Sequence, residues 1–272
     1  MATFSVRIYN YLSPLPAPYE LAEFSEGLCK HLKLSYIKDN YEILIDEAKK
    51  TNQSHEEFLH LLLENENSQR LDNSIKRRIR EAKFPQNVHM SDFDKTVYDS
   101  CYLEKFKEFE TLNFINEKRN LILRGASGAG KTYYASALGM LACMQGMSVL
   151  FITLADLIIK LKENMSLNQI STLKRKFQNY DLIILDELGY YSFDTAVAEL
   201  FFNLLSSREL KGSTIITTNL DFDEWVKPLG CTKLTGSLVS RLCRRADVVE
   251  LEREIDGRMQ DTLDWLASRK NK

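Results

Sequence analysis

The run Gly125-Ala126-Ser127-Gly128-Ala129-Gly130-Lys131-Thr132 constrains this chain more than any other feature. It follows a short apolar stretch and opens a segment of helical pattern, so it reads as strand, loop and helix in succession. Its glycines let the backbone take positive φ and turn N–H groups inward. A helix that starts where the loop ends directs its positive end at the same point. The result is a cradle for phosphate oxygens. Lys131 is placed to reach β- and γ-phosphates, and Thr132 to hold magnesium. The predicted ligand is therefore a nucleoside triphosphate, ATP, with Mg2+, and all eight residues are expected to line its site.

The surrounding pattern supplies the fold. Short runs rich in Ile, Leu and Val recur at 121–124, 149–153, 182–186, 214–218 and 248–251. Such runs suit strands buried on both faces of a parallel sheet. Helical stretches at 132–145, 155–162, 167–178, 195–207 and 236–245 alternate with them. The expectation is an α/β fold, a doubly wound parallel sheet of five strands, with ligands beyond the carboxyl ends of the strands. Before Met90 everything reads helical. Ile37, Tyr41, Leu44, Ile45 and Ala48 form one helix face. Ser54 and Glu57 make a capping box that opens a long helix, interrupted near Asn65 to Ser68 and ended by Pro85. The expected organisation is an extension over 1–28, a small all-helical domain over 29–90 and the nucleotide-binding domain over 91–272.

Three further features lie at strand ends or on the helix before the last strand. Leu182-Ile183-Ile184-Leu185-Asp186-Glu187 is an apolar strand that delivers two carboxylates. Beside the phosphate loop, Asp186 is suited to the magnesium shell and Glu187 to polarising a water for attack on the γ-phosphate. Asn219 ends Thr217-Thr218-Asn219 and either orients that water or starts a turn. Arg241, with Arg244 and Arg245 close behind, either serves as a finger toward a neighbour's nucleotide or belongs to a solvated basic face.

Composition limits the partners. The net charge of -2 excludes a polycation, so nucleic-acid binding would need a local patch. One candidate spans Arg70 to Lys83, where six basic residues meet only Asp72 and Glu81. Lys76, Arg80 and Lys83 share a helix side beside Arg77, while Ile75, Ile79 and Ala82 form the inner stripe. Such a face contacts phosphates without reading bases, or is simply solvated. Five scattered cysteines speak against a disulfide framework or zinc site. The histidines of His55-Glu56-Glu57-Phe58-Leu59-His60 are five apart and do not share a face as a zinc pair requires. No apolar run has the length of a membrane span, and the start lacks a signal-peptide pattern, so the cytoplasm is the expected location.

Taken together, these motifs closely resemble the AAA+ ATPases of the helicase-loader type, and within them the IstB-like transposition helpers. The resemblance covers 32–251. It includes Phe58-Leu59-His60-Leu61-Leu62-Leu63-Glu64, Asp92-Phe93-Asp94, Tyr180-Asp181-Leu182-Ile183-Ile184-Leu185-Asp186-Glu187-Leu188-Gly189-Tyr190 and Asp247-Val248-Val249-Glu250-Leu251. It implies catalytic roles for Lys131, Glu187, Asn219 and Arg241, and magnesium binding by Thr132 and Asp186. It also shifts the basic helix toward double-stranded DNA, and adds Lys174, Arg175 and Lys176, which follow the region where related ATPases line a pore. The implied function is an ATP-dependent DNA-binding helper of a cognate transposase that assembles as a homo-oligomer through ATP. A replicative helicase loader is the alternative; a small-molecule phosphotransferase and a non-hydrolysing scaffold are more distant rivals. Residues 1–28 have no counterpart in the family, and Arg258 in Ile255-Asp256-Gly257-Arg258 stands where the family carries a Ser-Tyr-Arg-like element.

Overall fold

The computed structural model describes residues 26–189, 193–230 and 232–252. Residues 1–25, Tyr190, Cys231 and Arg258 lie outside the described residues. Contacts divide the chain into two units, one up to Asn73 and one from Ser74 onward.

The first unit is helical. Helix α1 (Ser35–Thr51) buries Leu44 from the expected stripe and closes on Asn52 in the left-handed conformation. Helix α2 (His55–Ala82) opens on the expected capping box. The Ser54 N–H donates to Glu57 Oε2 at 2.8 Å, and the Glu57 N–H donates to Ser54 Oγ at 3.2 Å. The expected break near Asn65 to Ser68 does not occur, and α2 runs unbroken for 28 residues. Glu66 supplies the physical reason. The residue is 3% exposed, and Oε2 accepts the N–H groups of Tyr36 at 2.9 Å and Ile37 at 3.2 Å. Those donors belong to the first turn of α1, which no intrahelical carbonyl can satisfy. Arg70, one turn further along α2, donates to Glu66 Oε1 at 3.0 Å and to the Lys33 carbonyl at 2.7 Å. The polar run is thus an inward-facing helix cap rather than a loop.

The second unit is a three-layer α/β fold. Strands β1 (Asn120–Arg124), β2 (Val149–Thr153), β3 (Leu182–Leu188), β4 (Ser213–Thr218) and β5 (Ala246–Glu250) form one parallel sheet in the order β2-β3-β4-β1-β5. Alternation along each strand divides the core. Leu121, Leu123, Phe151, Ile184 and Ile215 face one side, whereas Ile122, Leu150, Ile152, Ile183 and Leu185 face the other. The first side is covered by α3 (Ser100–Glu110), α4 (Asn113–Asn116) and α5 (Lys131–Met144), together with Ile79, Ala82 and Phe84. The second side is covered by α6 (Leu154–Ser166), α7 (Ile170–Gln178), α8 (Thr195–Ser206) and α10 (Thr232–Cys243). The short α9 (Val226–Leu229) precedes α10. Helices α3 and α4 were not expected from the sequence, because Phe106, Phe109 and Phe114 are set among charged residues and give only a short periodic signal.

The Glu66 cap generates a stability prediction. Glu66→Leu should leave two helix N–H groups unpaired and lower unfolding free energy by about 1–3 kcal/mol. Urea unfolding followed by far-UV circular dichroism measures this, and an unchanged midpoint would show that the cap contributes nothing.

Candidate functional site

The loop from Gly125 to Gly130 leaves the end of β1, the strand flanked by β4 and β5. Both neighbours hold the junction between strand and loop. The Gly125 N–H donates to the Thr218 carbonyl at 3.3 Å, and the Arg124 carbonyl accepts the Leu251 N–H at 2.7 Å. Gly125 has φ +152°, and a Cβ there would lie 2.2 Å from the Leu251 carbonyl oxygen. Gly130, at φ +84°, turns the chain into α5; a Cβ there would meet the Tyr98 hydroxyl at 2.5 Å. These two positions need glycine for space as well as for dihedral angle. Lys131 folds back over the loop, its Nζ donating to the carbonyls of Gly125 and Ala126 at 2.7 Å each.

Beside the loop, three elements meet at one carboxylate. Asp186 on β3 is 4% exposed. Its Oδ1 accepts the hydroxyls of Thr132 on α5 at 2.8 Å and of Thr217 on β4 at 2.5 Å. Thr217 Oγ1 in turn accepts the Glu187 N–H at 3.0 Å. The register between β3 and β4 slips between Leu185 and Leu188, and Glu187 takes φ +62° within that irregularity. A bulge re-aims the side chain it carries. A non-glycine residue in the left-handed region costs about 1–2 kcal/mol, a strain found where function over-determines the backbone. Asn219 is exposed just past β4, with its Oδ1 3.4 Å from the position of a Cβ on Gly189, next to the end of β3. The predicted Lys131, Thr132, Asp186, Glu187 and Asn219 therefore gather at the carboxyl ends of adjacent strands.

Arg241 lies elsewhere. It is exposed on α10, its guanidinium 5.0 Å from the Phe202 ring centre. It lines a recess with Arg208, Arg244 and Arg245, and with Asn120 and Thr214 at the starts of β1 and β4. That is the opposite end of the sheet from the loop, roughly 15 Å away at the usual rise of a five-residue strand. Of the basic candidates, Lys76, Arg77, Arg80, Lys83, Arg175 and Lys176 are exposed and Lys174 is half-buried.

Two parts of the site were not visible in the sequence. One is an aromatic wall of Phe93, Tyr98, Phe106, Tyr133 and Tyr134, in which the Tyr98 hydroxyl donates to the Ala129 carbonyl at 2.6 Å. Burial raises the Tyr133 and Tyr134 phenols above the ordinary tyrosine range, so both stay neutral. The only sequence signal was the density of Phe and Tyr between Phe93 and Phe109. The other is Arg124, which bridges Asp221, just past β4, to Glu250 at the end of β5, the latter at 2.6 Å. That hydrogen bond to Glu250 holds the guanidinium above its ordinary range. Its partners are 97 and 126 residues away in sequence, so no local pattern announces them.

The Gly125 contact sets a test of the loop's seating. Gly125→Ala should lower stability by about 1–3 kcal/mol, the usual cost of overpacking, because backbone rather than a flexible side chain blocks the methyl. Thermal unfolding of the variant reads this directly, and a wild-type Tm would refute the close approach.

Comparison with known proteins follows the same lines. The profile of the IstB-like ATP binding protein family matches residues 27–262. The insertion sequence IS21 putative ATP-binding protein of Pseudomonas aeruginosa is 31% identical over 84% of this chain and 86% of its own length. That of insertion sequence IS232 from Bacillus thuringiensis is 30% identical over 82% and 89%. Among solved structures, the DnaC helicase loader aligns over 64% of this chain and 99% of its own, with a TM-score of 0.51 and 23% identity. AMPPCP-bound DnaA from Aquifex aeolicus aligns with a TM-score of 0.55 and 21% identity over 68% of this chain, which spans only 56% of that one. No helix among the described residues is long and apolar enough to cross a membrane. The chain belongs to the IstB-like ATP-binding protein family and carries the fold of the AAA+ P-loop ATPases.

Proposed function

We propose that this chain is an ATP-hydrolysing, DNA-binding helper of a transposase, acting in the cytoplasm. The observation that carries the ATPase part is the Thr132–Asp186–Thr217 clasp with Glu187 bulged out beside it. The loop's N–H groups and Lys131 bind the β- and γ-phosphates, and Gly125 to Thr132 surround them. Thr132 Oγ1 and the Asp186 carboxylate, 2.8 Å apart, are hard oxygen donors of the kind magnesium takes, and would hold it. Bound there, Mg2+ would offset negative charge on the phosphates. Glu187 accepts a proton from the attacking water, and the Asn219 amide orients that water.

Arg241 acts on a neighbour's nucleotide. Supporting this, it lies at the far end of the sheet from its own loop, away from the nucleotide that loop would bind. Assembly then depends on ATP, because the γ-phosphate joins two subunits. Lys76, Arg77, Arg80, Lys83, Lys174, Arg175 and Lys176 contact the phosphates of double-stranded DNA. The relatives' names tie the family to insertion sequences, which favours a transposase as client. Assembly on target DNA recruits or activates the transposase, and hydrolysis resets the assembly.

Two variants test this. Glu187→Gln should keep ATP binding and lower steady-state turnover by roughly 10²–10⁴-fold, as loss of a general base does; near-normal turnover would remove Glu187 from the base role. Arg241→Ala should bind ATP as a monomer yet fail to assemble on DNA, read by sedimentation with ATP, ADP and no nucleotide. Monomeric wild-type protein in all three conditions would overturn the assembly reading.

A further inference from the structure

The two basic segments converge on a residue that neither contains. Strand β2 is an edge of the sheet. On one face of it packs the segment that ends α2, with the ring of Phe84, two residues past the helix, 6.3 Å from that of Phe151 and the Arg78 guanidinium beside Gly146. On the other face lie α6 and α7, whose Leu157, Leu161, Leu173 and Phe177 share one buried cluster with Leu150 and Ile152. Lys160 sits half-buried on α6. Burial holds its ammonium below the ordinary lysine range, and the charges of Lys83 and Lys176 lower it further, against Asp156 and Glu163 on its own helix. Lys83, just past α2 and next to Phe84 on Phe151, is thus set on one side of β2, and Lys160 on α6 and Lys176 on α7 belong to the helices on the other.

Their ionic surroundings set them apart. Lys162, two residues on, is paired with Asp194 at 3.1 Å, and Arg70 with Glu66 at 3.0 Å. Among the described residues, Lys76, Arg77, Arg80, Lys83, Lys160, Lys174, Arg175 and Lys176 make no salt bridge. From Lys76 to the end of α2, next to Lys83, the row extends roughly 9 Å at the helical rise. A row of this length drawn from α2, the residue after it, α6 and α7 suits a chain of phosphates better than a single small anion.

We propose that Lys83, Lys160 and Lys176 form one phosphate-gripping rim along the edge of β2, with Lys160 as its central contact to the DNA backbone. This rests on the DNA-binding reading above and adds to it a residue and a continuous path. The rim is blind to sequence, because ammonium groups meet phosphates and not base edges.

The test is the salt dependence of binding to a duplex oligonucleotide, using the full chain with ATP. Lys160→Gln should reduce the slope of log K against log salt by about 0.9, one phosphate contact, and weaken binding roughly eightfold at about 0.1 M salt. Lys160→Arg should restore both, and Lys162→Gln, which removes only an already paired lysine, should change neither. DNA-free ATP turnover and Tm of Lys160→Gln should match or exceed wild type, since a repelled charge has been removed. If wild type binds duplex and Lys160→Gln keeps its slope and affinity, the rim is overturned while DNA binding stands. Unchanged slope with increased self-association of Lys160→Gln also overturns it, assigning the lysines to protecting the sheet edge. Wild type that binds no duplex at low salt overturns both readings together.

Discussion

A carboxylate buried at the end of a strand is tolerable only when donors satisfy it, and Asp186 meets that condition through two threonine hydroxyls. The site depends on this clasp. Thr132 brings the first turn of α5, and with it the phosphate loop; Thr217 brings β4, and with it Asn219. The carboxylate joins the loop, the strand that carries Glu187 and the strand that carries Asn219 at one oxygen. Thr217 serves twice, donating its hydroxyl proton to Asp186 and accepting the Glu187 N–H.

The same economy governs the loop's base. A five-stranded parallel sheet with β1 between β4 and β5 lets the loop begin against two neighbouring strand ends, and the chain uses both. Arg124 repeats the connection with side chains, spanning the same two neighbours through Asp221 and Glu250. Asp221 also caps the short helical turn Phe222–Trp225, so the segment after Asn219 is held at both ends. The bulge at Glu187 lies inside this otherwise regular frame. A strained residue persists only where the surrounding structure over-determines it, and here hydrogen bonds on either side do so.

How much of this was legible in the sequence follows from the range of each interaction. The strands could be read where burial on both faces demands a continuous apolar run, as in Leu182 to Leu185; β5, at the sheet edge, buries only Val249 among its five residues and was read from the shorter signal of Val248, Val249 and Leu251. The loop could be read because its geometry is local: glycines for positive φ, then a lysine and threonine at the helix start. Where a polar residue had a distant partner, the reading failed. Asn65 to Ser68 looked like a break, since nothing nearby indicates that Glu66 points inward to cap a helix 30 residues earlier. Lys160 drew no notice because a single lysine on an amphipathic helix is ordinary until the fold brings the charges of Lys83 and Lys176 to bear on it.

The sequence by itself therefore determined the α/β class, the strands, the phosphate loop and the identity of the carboxylates near the end of β3, because each is encoded in a few consecutive residues. Only the tertiary structure decided which groups meet: Thr132 and Thr217 at Asp186, Arg124 across β4 and β5, and Arg241 at the far end of the sheet from its own loop. Those pairings join residues tens to more than a hundred positions apart. Side-chain periodicity reports which way a residue faces on its own element, and carries no information about which element lies opposite.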